Sequence, residues 1–201
     1  LTATDTLANY QAAVRAVKYA NSSESPATAT RTVTFTADGG VSVNNIGSGT
    51  RSITVSSVND PPVNTVPTAQ FTAANTALTF SSGNGNQISI DDLDAGASTV
   101  QVTLTATNGT LTLSGTSGLS FSFSDSNGTG AGDGTADATM TFRGTLANIG
   151  TALNGLTFTP NVGFSGPATL TITSNDLGNT GGAAQTDTDV VNIQVASNIS
   201  V

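Results

Sequence analysis

The chain contains no cysteine, no histidine and no tryptophan, and only five basic residues in 201. Without cysteine there is no disulfide framework and no zinc thiolate site. Without cysteine or histidine, most nucleophile–base pairs of covalent catalysis are also gone. Lys18 is the one lysine, and no glycine-rich phosphate loop accompanies it. Two separated aspartates of the glycosidase kind remain conceivable on paper, but no motif marks them. Lys18, Arg15, Arg31, Arg51 and Arg143 are scattered along the chain, which argues against nucleic acid or anionic lipid as a partner. No apolar run approaches the roughly 20 residues of a membrane-spanning helix, so no membrane insertion is expected. The absence of an initiator Met and of a signal segment is read as consistent with a processed or excised fragment. Aromatic residues are 5% of the chain, too few for a stacked carbohydrate-binding platform.

What replaces charge is threonine, serine, asparagine and glycine. Charged residues are 9% of the chain, against about a quarter in ordinary domains. Hydrophobic residues stand at 36% and are patterned, which separates this composition from disorder. Twelve of the 13 acids are aspartate, the exception being Glu24, and the net charge is −8. Aspartate is favoured in turns and in loops that hold hard cations, because its short side chain stays near the backbone.

Apolar and polar residues alternate with a period of two in many short stretches. In "TVQVTLTATNGTLTLSG" (residues 99–115), Val100, Val102, Leu104 and Ala106 alternate with Gln101, Thr103 and Thr105. Such a stretch puts one face on a core and one in water. Asn108-Gly109 then predicts a tight hairpin turn. Similar strands are read at 77–82, 86–90, 119–123, 138–142, 155–160, 168–173 and 189–195. Frequent short strands with turns between them predict an all-β antiparallel sandwich with Greek-key connections.

One phrase breaks the pattern and occurs twice: "TLANYQAAVRAVKYAN" at 6–21 and "TLANIGTALNGLTFTPN" at 145–161. Each opens on a threonine suited to an N-cap. Leu146, Ile149, Ala152 and Leu153 follow helical spacing, as do Leu7, Tyr10, Ala13 and Val14. A short helix is therefore predicted in each copy, closing one end of a sandwich, with Gly155 at the left-handed position that ends the second. Tyr10 and Tyr19 fall at core-like places of this repeat, and Thr157 stands where the first copy has Lys18. The likeness extends to "TVTFTAD" (32–38) with "TLTITSND" (169–176), and to "RSITVSS" (51–57) with "VNIQVAS" (191–197). Self-similarity of this kind decides architecture. It predicts one full unit over 62–201, preceded at 1–61 by the back half of another. A back half cannot close its own sandwich, so it should expose apolar strand edges. Its front half lies upstream or is supplied by another chain. The junction "SSVNDPPVNTVP" (56–67) holds two adjacent prolines, which stiffen it.

Three further stretches, "VNDPPV" (58–63), "DDLDAG" (91–96) and "SNDLGNTG" (174–181), together with the repeated helix phrase, resemble the tandem cadherin-like, Ig-like repeats of giant secreted bacterial adhesins that carry RTX sequences. The resemblance covers the whole chain. It implies calcium between units, with Asn59 and Asp60 matching the linker element. Asp92 and Asp94 match an Asp-x-Asp element, with Asp91 beside them. Asn175 and Asp176 match a late acidic loop, and Asp38 holds that place in the first copy. The Leu-Asp-Arg-Glu element of the family is absent. An alternative reading of Asp91, Asp92 and Asp94 is a solvated acidic turn. The stretch 125–137, "DSNGTGAGDGTAD", reads as a flexible loop or as a second ion site. Sequons at Asn21, Asn108, Asn127 and Asn198 are of the number expected by chance in so Asn- and Thr-rich a chain.

Two functions follow from the resemblance and the repeat. The first is a non-enzymatic, calcium-stiffened spacer of a bacterial surface adhesin, its partners being neighbouring repeats. The second is a subunit of a self-assembling extracellular filament or sheath, in which 1–61 is completed by strands of a neighbouring copy.

Overall fold

A computed structural model describes residues 5–39, 46–121 and 132–197. As the alternation predicts, strands dominate. Among the described residues there are two short helices, α1 (Leu7–Arg15) and α2 (Leu146–Leu153), and 13 strands.

The second segment forms a two-layered antiparallel sandwich. Its larger sheet is built from β4 (Gln70–Ala73), β13 (Thr186–Ala196), β12 (Gly166–Asn175), β7 (Thr99–Ala106), β10 (Thr139–Thr145) and β9 (Ser120–Phe121), in that order. The smaller sheet has β5 (Leu78–Phe80), β11 (Leu156–Pro160) and β8 (Gly109–Thr112). A two-stranded ribbon of β3 (Val63–Thr65) and β6 (Ser89–Asp91) lies beside them. Among the described residues all pairings are antiparallel except β4 with β13. Threonines on the outer faces pair across strands, as Thr103 with Thr141 at 2.9 Å and Thr173 with Thr188 at 3.0 Å. The inward residues Val100, Val102, Leu104, Phe142, Leu170, Ile172, Val191 and Ile193 meet Phe80, Leu111 and Phe158 in one continuous core.

The turn at Asn108-Gly109 is not the hairpin that its sequence predicts. β7 belongs to the larger sheet and β8 to the smaller, so the turn is an arch between layers. The apolar faces of β7 and β8 both need the same core, and an arch lets both reach it. Asn108 takes a positive φ of 58°. A side chain at Gly109 would collide with the Phe158 ring and with Thr159 O. Glycine here serves close packing rather than the turn's backbone angles.

Helix α2 is capped as its sequence predicts. Thr145 Oγ1 accepts from Asn148 N at 3.3 Å, and Gly155 past its end has a φ of 112°. Ile149, Ala152 and Leu153 are buried against the sandwich.

The first segment repeats this local structure without its core. Thr6 Oγ1 caps α1 by accepting from Asn9 N, again at 3.3 Å. β1 (Arg31–Asp38) and β2 (Ile46–Ile53) form a separate two-stranded sheet. Their register reproduces that of β12 with β13. Val33 faces Arg51 as Leu170 faces Val191, and Thr32 faces Ser52 as Thr169 faces Asn192. Burial is the opposite. Leu153, Leu156 and Phe158 are fully buried, whereas their counterparts Val14, Val17 and Tyr19 are 45%, 59% and 45% exposed. No residue of α1 is buried. In the complete sandwich β12 is flanked by β7 and β13 by β4; among the described residues, β1 and β2 pair only with each other.

Candidate functional site

Two places merit attention: the acidic junction at one end of the sandwich, and the uncovered face of the first segment.

At the junction, the Pro61-Pro62 pair fixes an extended chain, and the loop after β12 folds over it. Asn59 Nδ2 donates to Asp176 Oδ2 at 2.6 Å and to Ala183 O at 3.2 Å. Gln185 Nε2 donates to Asn59 O at 2.6 Å. Asp176 Oδ1 accepts from the amides of Gly178 and Gln185, each at 2.8 Å. Its carboxylate is 1% exposed, and protein donors engage both oxygens. Asn175 Oδ1 accepts from Leu177 N at 2.7 Å, allowing Leu177 a positive φ of 62°.

The "DDLDAG" turn approaches the same junction from β6. Asp60 N donates to Asp94 Oδ2 at 3.1 Å, and Thr180 Oγ1 donates to Asp94 O at 2.9 Å. Asp92 Oδ1 accepts from the amides of Asp94 and Ala95 at 3.2 and 3.0 Å. Asp91 Oδ1 accepts from Asp92 N, and its residue is exposed at the end of β6. Asp92 and Asp94 are 6% and 3% exposed. Burial, and then the Asp94 carboxyl beside it, push Asp92 up to about 6, while the amides of Asp94 and Ala95 pull it down. Asp92 Oδ2 is buried without a hydrogen-bond partner among the described residues.

The structure thus brings Asn59, Asp60, Asp92, Asp94 and Asp176 to one end of the sandwich, with Asp91 and Asn175 at its margin. Asp38 ends β1 in the other sheet, paired in register with Ile46. Two buried carboxyls in contact, one with an orphaned oxygen, form an all-oxygen donor set that suits a hard cation. Among the described residues no group of three acidic ligands is gathered as a metal centre. Asp125 of the glycine-rich loop, and the sequons at Asn127 and Asn198, lie outside the described residues. Asp137, at the end of that loop, is buried and accepts from Gly134 N at 2.9 Å.

Sequence reasoning missed the residues that lock the junction: Gln185, Thr180, Asn64 and Asp187. Asn64 N donates to Asp187 Oδ2 at 2.7 Å, and Ser174 Oγ donates to Asn64 Oδ1 at 2.8 Å. Nothing in their local sequence distinguishes them from the many other polar residues on the strands and loops.

The uncovered face lies on α1, the segment after it and the β1–β2 hairpin. Val17, Lys18, Tyr19, Val33, Phe35, Arg51 and Ile53 line an open groove of about 160 Å³. Arg31 lies over the Tyr19 ring, 5.7 Å from its centroid, and its Nη1 donates to Ala27 O and Ala29 O.

No protein family and no curated protein matches the chain. Among solved structures it is similar to AggA, the major subunit of aggregative adherence fimbriae type I from Escherichia coli. The likeness has 19% identity and a TM-score of 0.33, and spans 69% of this chain and 98% of that one.

Proposed function

We propose that this chain is part of a non-enzymatic, extracellular fibrous protein assembled from β-sandwich units, and that residues 5–61 are the back half of one such unit. Strands from a neighbouring segment or chain complete it, and the junction at Asn59–Asp60 joins it to the unit that follows. One observation carries this reading: the hairpins β1–β2 and β12–β13 share a register, while the inward residues of the first are open to solvent. Strand addition at open edges supplies main-chain hydrogen bonds and covers alternate side chains. An exposed apolar face with two open strand edges is otherwise an aggregation site. The test is light scattering of residues 1–201 against concentration, followed together with tyrosine fluorescence. Association that buries Tyr10 and Tyr19 supports the reading. A monomer at all concentrations whose tyrosines stay exposed when front-half segments are supplied overturns it.

A second reading concerns the joint. We infer that a calcium ion binds beside Asp92 and Asp94, with Asp60 at the margin and further oxygens from backbone or water, and stiffens the junction. The orphaned Asp92 Oδ2 supports it. Bound there, the ion would supply the positive charge that lets both buried carboxyls ionise.

A further inference from the structure

We propose that the strands completing the first segment carry an inward-facing carboxylate that pairs with Arg51, so the occupant is a front half distinct from that of the second segment. This deepens the filament reading and rests on it.

Arg51 faces Val33 across the hairpin, the place taken in the complete sandwich by Val191 facing Leu170. Val191 is 1% exposed and Leu170 fully buried. Whatever covers β1 and β2 as β7 and β4 cover β12 and β13 therefore closes over a guanidinium. Arg31, at the place of Ala168, already has two carbonyl acceptors and the Tyr19 ring. Arg51 makes no hydrogen bond or ion pair among the described residues and lines the groove. A cation buried without a partner is strongly unfavourable, because it loses its hydration and gains no counter-charge.

The front half within this chain does not supply that partner. β7 turns inward only Val100, Val102, Leu104 and Ala106. β4 brings Gln70 beside Ile193 and Thr72 beside Val195. Overall charge favours an acidic occupant. Residues 1–57 hold four cations and three acids, a net of +1, while 62–139 hold six acids and no cation. The occupant shares the acidity of this front half and differs in turning one acid inward.

The transferred register locates that acid. Ile193 pairs with Gln70 in the parallel β13–β4 ladder. The ladder begins at that pair, and Thr68 before it is exposed in a bend, so with Ile53 placed at Ile193 the inward position nearest Arg51 is the equivalent of Gln70. The experiment fuses a second copy of residues 62–139 ahead of the full chain, either unchanged or with Gln70→Glu in the added copy. Tyr10 and Tyr19 are the only tyrosines of the chain and both lie in the first segment, so acrylamide quenching reads coverage there alone. The Gln70→Glu fusion is expected to lower the quenching constant at least threefold relative to the unfused chain, and the unchanged fusion much less. Adding Arg51→Val is expected to reverse that order. Equal protection by both fusions, whatever stands at 51, overturns the carboxylate and leaves the completion reading in place. Protection by neither overturns both. Tyrosine burial in the unfused chain through self-association overturns the claim that the occupant is a different front half.

Discussion

Asn59 Nδ2 donates to Asp176 Oδ2 at 2.6 Å, tying the start of the junction to a loop 117 residues further along the chain. The same loop sets Gly182 against Asn59: a Cβ on Gly182 would lie 2.6 Å from the Asn59 Cβ. The joint is therefore part of the second sandwich rather than a loose tether.

A Gly182→Ala change should push Asn59 away from Asp176 and destabilise the second segment by about 1–3 kcal/mol. Gly49→Ala on β2 is the control. Gly49 faces Phe35 on the inward side of its hairpin, yet a Cβ there meets nothing within 4 Å. Urea unfolding should show a loss for Gly182→Ala and no loss for Gly49→Ala.

Equivalent truncations in the two copies should differ in cost. Phe158→Ala removes a fully buried ring and is expected to cost about 3–5 kcal/mol. Tyr19→Ala, at the same place of the first copy but 45% exposed, should cost under about 1 kcal/mol. Chemical denaturation of both variants measures the difference. Equal costs would mean that the first face is covered.

Stability should depend on pH through Asp92. Its folded pKa, about 6, lies above the unfolded value near 4. Below about 4 both states hold the proton and the fold carries no penalty. As pH rises from about 4 to about 6 the unfolded chain releases the proton first, so this group's contribution falls and stays low above 6. Asp92→Asn keeps the oxygen that accepts from Asp94 N and Ala95 N and should remove this fall. A thermal-melt series from pH 4 to 7.5 on both proteins checks it.

If calcium binds at Asp92 and Asp94, millimolar calcium should raise Tm at pH 7.5 by several degrees and EDTA should reverse the gain. Asp92→Asn should abolish the shift. No change beyond about one degree in the parent chain contradicts the site.

The strand alternation, both helices and their threonine caps were legible in the sequence because period and capping are local properties. The likeness of 32–38 to 169–176 and of 51–57 to 191–197 was also legible, whereas the shared register, Thr32 opposite Ser52 as Thr169 is opposite Asn192, shows only in the structure. What stayed hidden is non-local. Asn108-Gly109 has the chemistry of a hairpin, but the decision between hairpin and arch is made by Phe158 and the shared core, which no local pattern encodes. The acidic residues near the junction could be named, yet their roles diverged with surroundings. Asp176 is engaged by amides and Asn59, while Asp92 keeps an orphaned oxygen. Gln185 and Asn64 were illegible, since their partners lie on elements distant in sequence.

The central claim is that one hairpin design occurs twice, once covered and once bare. Residue-resolved hydrogen exchange on residues 1–201 tests it most directly. The account predicts that the β12–β13 amides exchange only by global unfolding, while those of β1–β2 exchange through local opening, at least about 1,000-fold faster. Equal protection of the two hairpins would contradict it.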